Sequence, residues 1–310
     1  MAQSHAIPAS TLSRATDFRL GILLVAGAAL TWSFGGTIAR FISVEDSWTI
    51  VCWRAGFSAG FLMLFMLLRD GPRETAAMFR NMGLAGLGVA CCFGIASSSF
   101  VVALQHTTVA NILLIQAAAP LFAAMMAWVI FGEKVNAATG IAIAVVICGV
   151  GIMVSSSFSG KLSPLGDGLA LLITVMFSIA IVITRHSPHV RMTPAVCLGT
   201  GMACAAAFFL SGSLAVSQAD LFWLFLFGAV NLGMGLAMFV TGVRLVPAAL
   251  AALVSTLEPV VGPIWVWLIH AEVPGTRTLI GGAIVFVALL IHILTDWQRQ
   301  KVQPGTTPTP

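Results

Sequence analysis

Ten apolar runs, each of membrane-crossing length, follow one another along this chain with only short polar joints: 20–41, 48–68, 82–104, 109–131, 138–156, 166–184, 194–213, 221–242, 248–270 and 278–295. At 1.5 Å of rise per residue, about 20 helical residues cover the ~30 Å of a bilayer's hydrocarbon. No run alternates apolar with polar positions, so the pattern predicts helices rather than barrel strands. The longest polar joints, 69–81 and 185–193, leave no room for a soluble domain. The first run is too long for a signal core and lacks a small-x-small cleavage site, so it reads as a transmembrane helix. The ends, 1–19 and the Pro/Thr-rich 298–310, read as a cytoplasmic tail and a disordered cytoplasmic tail.

One pattern occurs twice. Residues 110–133 (ANILLIQAAAPLFAAMMAWVIFGE) and 249–272 (ALAALVSTLEPVVGPIWVWLIHAE) match at an offset of 139, pairing Pro120 with Pro259, Trp128 with Trp267 and Glu133 with Glu272. The same offset carries Gly94 onto Gly233, while an offset of 145 pairs Gly21 with Gly166, Ser33 with Ser178 and Arg40 with Arg185. The chain therefore divides into two five-helix repeats, 20–156 and 166–295. Five is odd, so the copies enter the membrane in opposite directions. The expected fold is an all-α membrane protein whose two inverted repeats surround a central cavity.

Composition sharpens this. The chain is 59% apolar and 8% charged, against roughly 45–50% and ~25% in soluble proteins. Its mean hydropathy of +1.01 excludes a water-soluble globule. The basic residues are scattered singly at the ends of apolar runs, which argues against a nucleic-acid partner. With the amino terminus inside, eleven Lys and Arg residues fall in cytoplasmic segments and three outside, which assigns both termini to the cytoplasm. All six cysteines lie in apolar runs and read as small buried hydrophobes.

Pro120 at mid-span, Gly132-Glu133 at a helix end and Gly140 opening the next helix form one copy of a motif. Glu258-Pro259, Ala271-Glu272 and Gly281-Gly282 form the other, and Arg54 early in the second span fits the same pattern. Over residues 20–295 this resembles the EamA-type repeat of the drug/metabolite transporter superfamily, and within it the YddG-like inner-membrane exporters of aromatic amino acids and related metabolites. The resemblance implies a basket of outer spans around a central cavity, with the fifth and tenth spans peripheral. It also implies export, alternating access and a bacterial-type inner membrane. It leaves the substrate open between amino acids and amphipathic cations or drugs.

The candidate substrate residues are the polar groups inside the spans. An ionisable group at mid-membrane costs roughly 2.5–3.5 kcal/mol on insertion scales. Glu258 is therefore read either as a cavity acid for a substrate ammonium or proton, or as a structural carboxylate at the proline break. Pro120, Pro259 and Pro263 each lack an N–H and displace the carbonyl four residues earlier. For the first two that carbonyl belongs to Gln116 and Ser255, whose side chains are also polar. Arg54 is open to three roles: pairing with Glu258, snorkelling to the interface, or meeting a substrate anion. Arg54 and Glu258 are the only ionisable side chains read as lying well inside spans. Asn111 and Asn231 offer amides for substrate or for interhelical hydrogen bonds. Trp32, Phe100, Phe177 and Phe239 lie deep enough to wall an apolar cavity.

An enzyme reading fails on inventory. The six histidines form no HExxH, no CxxC or P-loop occurs, and no Ser or Cys nucleophile has a base nearby in sequence. No cofactor or metal is expected. The expected partners are a small-molecule substrate and the lipid bilayer, with the chain a monomer or homodimer. A channel or membrane scaffold is the alternative of a different class.

Overall fold

The computed structural model describes residues 9–132, 137–155, 163–246 and 248–302. Its regular structure is helical: α1 (Ala9–Ser33, continued by Gly35–Arg40), α2 (Ser47–Asn81), α3 (Gly83–Leu104), α4 (Val109–Gln116 and Ala119–Phe131), α5 (Ala137–Val154), α6 (Pro164–His186), α7 (Thr193–Leu210), α8 (Gln218–Phe225, Leu226–Met234 and Gly235–Gly242), α9 (Ala248–Ser255 and Leu257–His270) and α10 (Thr276–Val302). Eight stretches are long and apolar enough to cross a membrane, and Thr139–Val154 and Leu257–His270 are shorter apolar helices. Together these are the ten elements that the apolar runs predict.

The differences lie at the joints. Helix α1 begins at Ala9 and α10 runs to Val302, so both take in residues expected as tail. Residues 1–8 and 303–310 lie outside the described residues. The joint 69–81 is helical too. Gly71, at φ 81°, redirects the chain in a backbone region that favours glycine, and Pro72, which has no N–H to leave unbonded, opens the next turn. Beyond that kink Thr75 and Met78 are buried while Arg73 and Arg80 are exposed, the two-faced pattern of an interfacial segment.

Neighbouring helices close a ring in the order α1, α8, α2, α7, α3, α6, α4, α9 and back to α1. Helices α5 and α10 pack on each other beside α4 and α9. Where the ring helices cross, small residues let backbones meet: a Cβ on Gly94 of α3 would stand 2.9 Å from the carbonyl of Gly199 in α7. Inside the ring, Leu62, Met66, Phe93, Val196, Cys197, Leu232 and Leu236 form an apolar cluster that Trp32 and Phe177 join. Of the cysteines, Cys52, Cys92 and Cys197 are buried, whereas Cys91 and Cys148 are exposed on outward helix faces. The apolar exterior of a membrane helix tolerates a thiol as well as its packed face does.

The two repeats make matching contacts. Gly21 packs against Leu245 and Val246, and Gly166 against His106 and Thr107; offsets of 145 and 139 carry one set onto the other. Ser33 of the first repeat accepts a hydrogen bond from Trp265 Nε1 in α9 (3.2 Å). Its partner Ser178 donates to the Ala119 carbonyl in α4 (3.0 Å). Each serine reaches the broken helix of the opposite repeat, as an inverted pair requires.

Candidate functional site

Both proline-bearing helices break where the sequence places the lost hydrogen bond. The first half of α4 ends at Gln116 and that of α9 at Ser255, four residues before Pro120 and Pro259. Proline then sits within the first turn of each following half, where a missing N–H is tolerated. Ser255 Oγ donates back to the Ala251 carbonyl (2.8 Å). Gln116 and Glu258 are half-buried. One turn on from Glu258, Gly262 lies against Leu113 of α4 and Ser33 of α1. Glu258 thus stands on the face of α9 turned toward those two helices, without an ion pair to any described residue. Pro263, inside the second half of α9, is half-buried on the same stretch.

The aromatic candidates fall into two groups. Trp32 of α1 packs on Phe239 of α8 with ring centroids 5.2 Å apart. Beside them Asn231 Nδ2 donates to the Thr31 carbonyl at 2.6 Å, where α1 breaks before Gly35. Asn231 belongs to a π-helical stretch, Leu226–Met234, a departure from α geometry that recurs at functional sites and that no periodicity revealed. Phe100 of α3 belongs with Arg54 of α2, its ring centroid 5.4 Å from the guanidinium carbon. Phe177 of α6 meets Phe93 at 5.8 Å, edge to face. Arg54 and Glu258, a pair the sequence left open, are not in contact, and Arg54 does not reach the interface: its head group is buried against Ser97 of α3.

The two ends of the bundle differ. At one end Arg40 Nη2 lies 2.9 Å from Glu272 Oε2, Arg40 Nη1 donates to the Leu104 carbonyl (2.7 Å), and Glu272 Oε1 accepts the Val109 N–H (2.8 Å). One carboxylate and one guanidinium thus tie α1, α9 and the α3–α4 corner together. Toward the other end a cleft of about 320 Å³ lies between α1, α2 and α8, lined by Leu24, Phe61, Phe65 and Met238 with Arg69 at its polar limit. Glu133, the repeat partner of Glu272, lies outside the described residues.

A family model described as the EamA-like transporter family matches residues 19–155 and, a second time, residues 164–294. The chain belongs to the EamA-like transporter family. The fold agrees: a solved structure titled "Crystal structure of protein" superposes with a TM-score of 0.62 at 16% identity, over 90% of this chain and 98% of its own. No curated protein shows significant similarity to this EamA-like chain.

The structure adds a charged residue that the spacing of polar positions did not single out. Asp167, in the first turn of α6, is 1% exposed and accepts a hydrogen bond from Asn111 Nδ2. Asn111, itself 0% exposed, also donates to Thr107 Oγ1 (3.2 Å) and accepts from Thr278 Oγ1 (3.4 Å). Both amide hydrogens and the side-chain oxygen thus have partners within the protein. At the symmetry-related point of this EamA-like chain the offsets turn Asp167, Asn111 and Thr107 into Ile22, Leu250 and Val246, which pack in an apolar cluster. The fold does not need polar groups at that point. An Asp directly behind Pro164 and Gly166 in an apolar run was the available signal.

Proposed function

We propose that this EamA-like protein is a secondary transporter of small organic metabolites in a bacterial-type inner membrane, with both termini cytoplasmic and amino acids as the leading substrate class. Export is the direction that the resemblance implies. The observation that carries the reading is the matched pair of broken helices with Glu258 at one break. A charge at that depth is expensive without a partner, and a substrate ammonium or a transported proton supplies one. Rocking of one five-helix repeat against the other alternates access to a site between them. Gln116, Ser255 and Glu258 supply polar contacts there, and Trp32, Phe100, Phe177 and Phe239 supply apolar wall.

An acid in apolar surroundings also suits an amphipathic cation, so drug-like amines form the second reading. Purified protein in liposomes, given labelled amino acids and amines with and without a pH gradient, separates the two. Saturable uptake with counterflow identifies a carrier; linear, unsaturable flux identifies a channel and refutes the proposal. Glu258→Gln keeps the shape and removes the charge. Wild-type flux from this variant across pH 5–8 removes Glu258 from the mechanism.

A further inference from the structure

Arg54 is a permanent cation held where a cation is costly. It lies seven residues into α2, about 10 Å along the helix, and is 6% exposed. No carboxylate is within ion-pair distance among the described residues. Two aromatic rings lie against it, Phe227 at 4.2 Å from the guanidinium carbon and Phe100 at 5.4 Å. One nitrogen, Nη1, donates to the Ser97 hydroxyl (3.0 Å) and carbonyl (3.3 Å). Nε is buried without a partner among the described residues, and no hydrogen bond joins Nη2 to any of them. The edge of the guanidinium that carries Nε and Nη2, the fork that grips a carboxylate through two parallel hydrogen bonds, is unused by the described residues.

A second donor lies on the same face of α2. Ser58, one turn further along, is fully buried, and its hydroxyl also has no partner among the described residues. Several helical hydroxyls here turn back to the carbonyl four residues earlier, as Thr174, Thr184, Thr241 and Ser255 do. Ser58 does not: the carbonyl it would use belongs to Arg54, and Gly228 of α8 packs against that oxygen. The fold does not demand the arginine either. Val51-Cys52 recurs as Val196-Cys197, which aligns Arg54 with Gly199, a position with no room for a side chain against Ala90.

We infer that the free edge of Arg54, with the Ser58 hydroxyl, is the subsite for the carboxylate of a monocarboxylate substrate whose apolar part lies against the half-buried Phe100 ring. This rests on the transporter reading above and narrows it. Among the classes that reading leaves open it selects substrates with a carboxylate and excludes simple amphipathic amines. The anion replaces the hydration that burial removed from the guanidinium, so a neutral isostere leaves the fork unpaired and binds poorly.

The test compares ligands that differ only at the carboxyl group. Binding to the purified full chain in detergent is read by quenching of tryptophan fluorescence for phenylalanine against phenylalaninamide, and for 3-phenylpropionate against its amide. The acids should bind at least about tenfold more tightly than their amides. Arg54→Gln should abolish that preference, Arg54→Lys should retain part of it, and Ser58→Ala should weaken acid binding alone; thermal melts of each variant report whether it is folded. Amides that match their acids on the wild-type chain, or no acid binding at all, overturn the proposal without recourse to a variant. Liposome flux is a separate readout: saturable uptake of amines with no carboxylate preference leaves the transporter standing and removes this subsite.

Discussion

Replacing Glu272 by glutamine should release the Arg40 end of the bundle. The carboxylate makes two kinds of contact there, an ion pair to Arg40 at 2.9 Å and acceptance of the Val109 N–H at 2.8 Å. The two side chains are 31% and 19% exposed, so solvent screens the pair and its Coulomb part is held to about 1 kcal/mol. Losing the charge assistance of the Val109 bond adds about 1 kcal/mol, since glutamine can still accept it. Together these give about 2 kcal/mol, a shift of about thirtyfold between closed and open forms of this end. Pulsed EPR distances between spin labels at positions 45 and 273, in a background without cysteine, would follow the shift. Glu272→Gln should populate longer distances, and Arg40→Ala should do the same. The double variant should open less than the two effects added, because the pair is broken once. Distances unchanged in both single variants, or effects that simply add, would show that the two residues do not clasp this end.

Asp46 caps α2: its carboxylate accepts from Thr49 Oγ1 (2.7 Å) and from the amides of Trp48, Thr49 and Gly212. Burial opposes its charge, but those donors, the Thr49 hydroxyl foremost, outweigh it and hold the group below the ordinary carboxylate value. Its contribution is therefore present above the unfolded value near pH 4 and is lost as pH falls through the lower native value. Asp46→Ala should cost about 1 kcal/mol near neutrality, and a melting series should show the gap to wild type closing in acid; a gap constant with pH refutes the charge-based cap. Single cysteines at 116 and 255 should react with a water-soluble thiol reagent and be protected by substrate, whereas Ile143→Cys and Ile284→Cys on α5 and α10 should stay silent. The reverse pattern means that the broken helices do not line the path. Reporter fusions after Pro310 and within 157–165 should report opposite sides of the membrane, and a shared location refutes the expected topology.

The linear chain determined the ten helices, their pairing into repeats and the two breaks. Each of these depends on one local property: apolar length fixes a span, and a proline without an N–H fixes where the helix ladder fails. Gln116 and Ser255 end their half-helices four residues before such a proline, whereas Pro263 lies inside the second half of α9 without ending it, and the length of a matched motif identified the family. What the side chains meet depended on the ring. Asn111 and Asn231 look alike in sequence, yet one is spent on Thr107, Asp167 and Thr278 and the other on the α1 break. Arg54 had three open roles, and only the packing of α2 against α3 and α8 seats it against Phe100, Phe227 and Ser97, out of contact with Glu258. Asp167 was not singled out in the sequence because its partner Asn111 lies on α4, 56 residues away. A bilayer sets how apolar a span must be but is indifferent to which face of it turns inward. The choice of inward face is made by close contacts between distant helices, and those contacts decide which polar groups are spent on the fold.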